Sequence, residues 1–207
     1  ALMRVTLFDY GAGNLHSLIK AVDGDGRSVS VEADPVRAID TDALILPGVG
    51  AFGPAAAALA PGREAMREAL RAGLPTLGIC LGMQLLFDES DEGPGRGLGI
   101  VAGRVERLHA ARLPQIGWNG LEEAVDPLFA ASDLRTAYFA NGFACRAADP
   151  SCVIAWATHE SDRFAAAVRW RNVVGTQFHP EKSSAPGLRF VRAWLSEAAM
   201  RATGVGR

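Results

Sequence analysis

Residues 75 to 86, Pro-Thr-Leu-Gly-Ile-Cys-Leu-Gly-Met-Gln-Leu-Leu, set a cysteine, Cys80, at a sharp turn where an apolar strand runs into a helix. Such an elbow lifts a side chain clear of a sheet's end, and Gly78 and Gly82 leave out the Cβ atoms that would obstruct the turn and an incoming substrate. The helix after Cys80 turns unpaired N–H groups and its positive dipole end toward the sulfur, which favours thiolate over thiol. Far downstream, in Val-Gly-Thr-Gln-Phe-His-Pro-Glu-Lys-Ser at 174 to 183, an apolar strand ends in His179-Pro180-Glu181. A thiol nucleophile needs a base to hold its proton, and the base needs a third group to fix its ring and favour its charged form. The i, i+2 spacing puts His179 and Glu181 on one side of an extended segment, with Pro180 holding the backbone between them. Taken singly, Cys80 reads equally well as a small buried hydrophobe and His179 as a satisfied polar residue. Taken together they read as nucleophile, base and orienting acid.

A third segment, Asp42-Ala-Leu-Ile-Leu-Pro-Gly-Val-Gly, is a buried-type strand ending in Pro47-Gly48-Val49-Gly50. Attack on an amide carbonyl creates an oxyanion, best stabilised by preplaced backbone N–H donors. The candidates are the N–H of Val49, made adjustable by its flanking glycines Gly48 and Gly50, and that of Leu81, the residue after the nucleophile. On its own this segment is also an ordinary glycine-rich βα loop.

These groups must be carried by a scaffold. Strands are expected at Arg4 to Phe8, Ser28 to Glu32, Ala43 to Leu46 and Thr76 to Ile79, alternating with helical stretches such as Pro54 to Arg71. That alternation implies a parallel, helix-covered sheet. A first helix should stop early, because Asp23-Gly-Asp-Gly-Arg-Ser interrupts it. From Gly99 the pattern changes to closely spaced strands at Gly99 to Leu108, Thr136 to Phe139, Val153 to Thr158, Phe164 to Trp170 and Val173 to Gln177. Arg171-Asn172 suits a tight turn between the last two. A closing helix is expected from Ala185 to Met200. The fold class is therefore α/β, an open and mostly parallel sheet with helices on both faces and an antiparallel carboxyl-terminal portion. Ligands bind such sheets outside the carboxyl ends of the strands, where Cys80 and Pro47 both fall.

With 207 residues, 49% of them hydrophobic, the chain can bury a substantial core, and one domain over residues 1–207 is expected. The net charge of −2 and the absence of basic runs give no nucleic-acid or polybasic membrane surface. No apolar stretch nears the ~20 residues that span a bilayer, and the amino end lacks a signal-peptide layout, so a cytoplasmic location is expected. Cys145 and Cys152 lack the spacing of a zinc pair, and His16, His109 and His159 share no metal-ligand pattern, so no metal or cofactor is expected. A reactive thiol at Cys80 fits a reducing compartment. Arg189 and Arg192 read as solvated surface, and Ala1-Leu2 ahead of Met3 as a cloning remnant or an upstream start.

The Gly-Ile-Cys-Leu-Gly-Met-Gln elbow, the Pro-Gly-Val-Gly strand end and the His-Pro-Glu-Lys-Ser turn, in that order, resemble the class I glutamine amidotransferases with a Cys-His-Glu triad. The opening Phe8-Asp-Tyr-Gly-Ala-Gly-Asn-Leu-His-Ser17 and Gly117-Trp118-Asn119 are further similar to the glutaminase subunits of imidazole glycerol phosphate synthase, over nearly the whole chain. The resemblance implies hydrolysis of glutamine through a Cys80 thioester. It also implies delivery of the ammonia to a β/α-barrel cyclase subunit that forms imidazole glycerol phosphate and an aminoimidazole carboxamide ribotide in histidine biosynthesis. It makes Gln84 a substrate contact and places Asn141 and Gly142 along the glutamine pocket. Asp9, Gly11, Asn14, Trp118, Asn119, Tyr138 and Lys182 would face the cyclase; for Trp118 and Tyr138 a core position is equally compatible with the sequence. Two places depart from the family pattern: Ala140-Asn141-Gly142-Phe143 stands where Val-His-Ser-Tyr is usual, and Gln115-Ile116 where His-Met is usual. Similar elbows and triads serve glutaminases of other synthases, cysteine peptidases and γ-glutamyl hydrolases, and a low-pKa thiol also suits an oxidant sensor. The synthase that copurifies, and turnover of glutamine against peptides, separate these.

Overall fold

The computed structural model describes residues 2–11 and 13–202. Ala1, half of the suspected amino-terminal remnant, and Ala12 of the opening motif lie outside the described residues. Among the described residues eleven strands form: β1 (Met3–Phe8), β2 (Arg27–Glu32), β3 (Ala43–Leu46), β4 (Thr76–Ile79), β5 (Gly103–Arg107), β6 (Gln115–Gly120), β7 (Thr136–Asn141), β8 (Phe143–Ala147), β9 (Val153–His159), β10 (Asp162–Trp170) and β11 (Val173–Thr176). The α-helices are α1 (His16–Val22), α2 (Pro35–Ala38), α3 (Phe52–Leu59), α4 (Arg63–Arg71), α5 (Leu81–Gln84), α6 (Pro127–Ser132) and α7 (Ser184–Ala202).

Seven strands make one sheet in the order β2-β1-β3-β4-β11-β10-β9. The first five run parallel, and β10 and β9 are antiparallel to their neighbours. Strands buried on both faces should be apolar throughout, and β3 is: Ala43 and Ile45 face one core with α1, α6 and α7, while Leu44 and Leu46 face the other with α3, α4 and α5. The pivot is β11. It pairs parallel with β4, in the register Thr176 to Ile79, so the chain leaving β11 emerges beside the chain leaving β4. Those two strand ends deliver His179 and Cys80.

The chain beyond β11 is anchored by Phe178, which is fully buried and meets Phe139 edge-on at 5.9 Å and Phe190 at 5.8 Å between ring centroids. Aromatic pairs of this kind add about 0.5–1.5 kcal/mol beyond their burial. Arg169 of β10 is clamped by Asp126, which caps α6, and by Glu197 of α7, at 2.6 and 2.9 Å. This network ties the antiparallel edge to both helices.

Several expected boundaries shift for local reasons. The helix expected over Pro54 to Arg71 is two: α3 begins at Phe52, and a 3₁₀ turn over Ala60–Gly62 separates it from α4. Pro61 has no N–H to give and crowds the preceding turn, so the helix breaks there. Only Gly103–Arg107 of the strand expected from Gly99 forms, paired with β8. Neither β8 nor β6 was expected, since Gln-Ile-Gly-Trp-Asn-Gly has two glycines and little β-branching; β7 recruits it, Gln115 opposite Asn141 and Trp118 opposite Tyr138. The early stop of α1 at Val22 and the tight turn at Arg171, with φ of 51°, agree with expectation. Arg189 is exposed yet donates to the Ser132 carbonyl at 3.0 Å, joining α7 to α6, so it is not a merely solvated residue.

Candidate active site

Cys80 follows β4 with φ 48° and ψ −104°, a conformation that L side chains rarely adopt and that costs on the order of 1–3 kcal/mol. The surroundings enforce it. The Cys80 N–H donates to the Thr176 carbonyl at 2.6 Å, and a Cβ on Gly82 would overlap the Leu46 carbonyl oxygen, so only glycine lets α5 pass against β3. The helix after the elbow is a single turn, Leu81–Gln84. One turn carries little of the macrodipole expected from the sequence. The stronger positive group near the sulfur is the imidazole of His179.

His179 is 3% exposed and held from three sides. Its N–H donates to the Tyr138 carbonyl at 2.8 Å, its carbonyl accepts from Ser183 Oγ at 2.6 Å, and the same Oγ accepts from the Tyr138 N–H at 2.9 Å. Residues Pro180–Lys182 form a 3₁₀ turn rather than the extended segment expected. This turn brings Glu181 Oε1 to 2.8 Å from His179 Nδ1, and leaves Glu181 Oε2 buried with no hydrogen-bond partner among the described residues. The Cys80 sulfur acts on the same ring. Burial by itself lowers the basicity of His179, but the interactions with Cys80 and Glu181 outweigh it and raise the pKa from 6.5 to about 10. The arrangement therefore stores a proton on the imidazole beside the sulfur.

Gly48 lies where the two side chains meet: a Cβ there would stand 2.8 Å from His179 Cε1 and 3.0 Å from Cys80 Cβ. The next residue, Val49, rests its side chain directly on Gly13 of the opening loop, so the strand end after β3 is packed against that loop. Gly50 has φ 96°, as the tight turn into α3 requires, and Leu81 is buried. Gly48, Val49, His179 and Glu181 share a cavity of about 170 Å³ with Asn14, Leu15 and Lys182.

Gln84 Nε2 donates to Gln177 Oε1 and to the Phe143 carbonyl, both at 3.4 Å. Asn141 Nδ2 reaches the same carbonyl at 3.0 Å while Asn141 Oδ1 has no partner among the described residues, and the Gly142 carbonyl is taken by the Leu108 N–H at 3.0 Å. Gln84, Asn141 and Gly142 thus adjoin one another. Across β6 and β7, the buried Gln115 opposite Asn141 has no partner for either amide atom among the described residues. Of the residues expected to face a cyclase, Asn14 and Lys182 reach the cavity, and Trp118, 55% exposed, packs edge-on against Tyr138 at 6.2 Å. Asp9 and Asn14 also cap local turns, accepting from the Gly11 and His16 N–H groups at 2.8 Å, and Asn119 spends its amide on the Thr158 carbonyl at 2.9 Å. Gly11 is exposed with φ 83°.

Two residues at the site were not singled out from sequence. Gln177, fully buried, donates Nε2 to Cys80 Sγ at 3.5 Å; the signal was a polar residue inside the apolar run Val-Val-Gly-Thr-Gln-Phe. Ser183, 1% exposed, fixes the backbone of His179, and its sequence context carried no such signal.

The Glutamine amidotransferase class-I family model matches residues 6–196. The imidazole glycerol phosphate synthase subunit HisH of Symbiobacterium thermophilum is 45% identical over 199 residues, covering 93% of each chain. A counterpart in Thermus thermophilus is 43% identical over 192 residues, 91% of this chain and 95% of that one. Among solved structures, PurLQS from Thermotoga maritima matches with a TM-score of 0.74 at 20% identity, over 95% of this chain and 99% of that chain, which speaks to the fold alone. By its matched length and by these identities, with the elbow and the His-Pro-Glu turn inside the matched span, the chain belongs to the class-I glutamine amidotransferases, in the group of the HisH subunits.

Proposed function

We propose that this chain, working as one domain, is the glutaminase subunit of an imidazole glycerol phosphate synthase. The observation that carries the reading is the convergence of Cys80, His179 and Glu181 around Gly48. Glutamine's side-chain carboxamide lies against the elbow and the Cys80 thiolate attacks its carbon. The tetrahedral oxyanion is held by the N–H groups of Val49 and Leu81, with Gly48 and Gly50 letting the first of these peptides take its place. His179 passes its proton to the nitrogen as the C–N bond breaks, ammonia leaves and a thioester remains. Water, deprotonated by the same imidazole, attacks the thioester; glutamate leaves and the thiolate is restored. Glu181 fixes the ring throughout and balances its charge. Asn141 Oδ1 and both amide atoms of Gln115, without partners among the described residues and close to Gln84 and Gly142, offer the hydrogen bonds that the amino-acid end of glutamine needs.

Ammonia is useful only if captured. The relatives are named as synthase subunits, and the surface beside His179 is suited to a partner: Ile116 and Trp118, 68% and 55% exposed, form an apolar patch with Tyr138, whose carbonyl binds the His179 N–H. Exposed large apolar groups gathered beside an active site mark an interaction surface. We assign this patch, with Gly11, Asn14, Asn119, Lys182 and the nearby Asp9, to the β/α-barrel cyclase. In this reading the protein works in the cytoplasm in histidine biosynthesis.

The test is glutamate release by the parent and by Cys80→Ala, each with and without the cyclase and its ribonucleotide substrate. The parent should be accelerated by the loaded cyclase and form an adduct with a glutamine analogue on Cys80. Cys80→Ala should be inactive yet still bind the cyclase. Appreciable turnover by Cys80→Ala would remove the assignment, and a parent rate indifferent to the cyclase would remove the coupling.

A further inference from the structure

The nucleophile touches one buried polar group that the mechanism above does not use. Gln177 Nε2 lies 3.5 Å from Cys80 Sγ, within normal range for an N–H to sulfur hydrogen bond, and Gln177 is fully buried. The direction of a carboxamide normally has to be inferred from its network, and here the network has a fixed end. The Phe143 carbonyl is a backbone acceptor and can only receive. It receives from Gln84 Nε2, whose amine also faces Gln177 Oε1 at 3.4 Å. Flipping Gln177 would set amine against amine and carbonyl oxygen against sulfur; flipping Gln84 would set two carbonyl oxygens together. The chain of amides therefore has one favourable polarity, with an N–H pair presented to the sulfur. Asn141 Nδ2, donating to the same Phe143 carbonyl at 3.0 Å, strengthens that anchor.

We propose that Gln177 is a catalytic hydrogen-bond donor to the Cys80 sulfur, aimed by the Gln84–Phe143 chain, acting beside the imidazole of His179. It stabilises the thiolate before attack and again when the thiolate departs from the thioester. Hydrogen bonds to a charged atom exceed neutral ones in strength, so the donor acts more on the thiolate than on the thiol or thioester. The proposal rests on Cys80 being the nucleophile. The titratable groups that act on this sulfur are His179, Tyr10 and Cys145, and the last two are held neutral by burial.

The test is the pH dependence of Cys80 alkylation by iodoacetamide, followed on the Cys80 peptide by mass spectrometry, for the parent, Gln177→Met and Gln177→Glu. Gln177→Met keeps length and loses the donor. Its alkylation midpoint should move up by about one pH unit, giving about tenfold slower reaction well below the midpoint. Its high-pH plateau should be undiminished, because a thiolate without the donor is more nucleophilic. A residue serving packing alone would lower the plateau and leave the midpoint in place, and that result overturns the proposal. Gln177→Glu still accepts from Gln84 but sets a carboxylate against the sulfur, and should move the midpoint further up; an unchanged midpoint overturns the proposal equally. If neither variant folds, the side-chain ¹⁵N resonance of Gln177 in the unmutated protein decides: it should shift when Cys80 is alkylated, and constancy overturns the proposal. Alkylation needs no glutamine, so these results are independent of the turnover test of the glutaminase reading.

Discussion

Gly48→Ala places one methyl group between base and nucleophile, and its cost follows from the geometry. The new Cβ would lie 2.8 Å from His179 Cε1, where an ordinary contact begins near 3.4 Å, so something must yield by about 0.6 Å. The Ile79 carbonyl oxygen at 3.0 Å is backbone of β4 and Cys80 Cβ at 3.0 Å is pinned by the elbow, which leaves the imidazole as the softest neighbour. Its retreat strains the 2.8 Å bond to Glu181 and opens the gap to sulfur. A misplacement of about 1 Å costs on the order of 10²-fold in rate, so roughly tenfold is expected in kcat here. Overpacking adds a destabilisation of about 1–3 kcal/mol, and each kcal/mol lowers Tm by roughly 2–4 °C in a chain of this size. The assay is cyclase-coupled glutamate release alongside thermal unfolding. Gly82→Ala is the control: its Cβ overlaps the Leu46 backbone, which cannot retreat, so it should lose the fold rather than only the rate. A folded Gly48→Ala with kcat within twofold of the parent refutes the reasoning.

Other expectations follow from neighbouring observations. The folded pKa of His179 is raised, so its protonation contributes stability that is complete below about 6.5 and is lost as pH rises through about 10. NMR titration of the ring should show that high midpoint in the parent and a lower one in Cys80→Ala, where the contribution of the sulfur is gone. Cys80→Gly should melt above Cys80→Ala, because glycine takes φ 48° without strain; calorimetry should show a gap of about 1 kcal/mol or more. Ser183→Ala strips both the Tyr138 N–H and the His179 carbonyl of a partner, and should cost about 1–3 kcal/mol in urea unfolding together with a fall in kcat. Arg169→Met leaves the buried Asp126 without its cation and Glu197 with Arg201 alone, and should cost about 3–5 kcal/mol in the same measurement with little change in kcat.

What the sequence made legible was whatever acts locally. Glycines around Cys80 announce an elbow because no other residue fits the turn, and His179-Pro180-Glu181 announces a base with its orienting acid because the pair lies within one turn of chain. The parallel half was legible for the same reason: β3 and β4 are short apolar runs bounded by punctuation. What escaped was set by partners distant in sequence. Gln-Ile-Gly-Trp-Asn-Gly, with two glycines and little β-branching, has weak strand character of its own and forms β6 in pairing with β7. Gln177 looks like any residue of a strand end until Gln84, from ninety-three positions earlier, turns its amide toward the sulfur. The helix after Cys80 read as a dipole source and is one turn long, and Gly82 is what lets that turn pass the Leu46 backbone. At this elbow the positive group beside the nucleophile is the His179 imidazole, which meets Cys80 over Gly48, rather than a helix end, since a single turn carries little of a macrodipole.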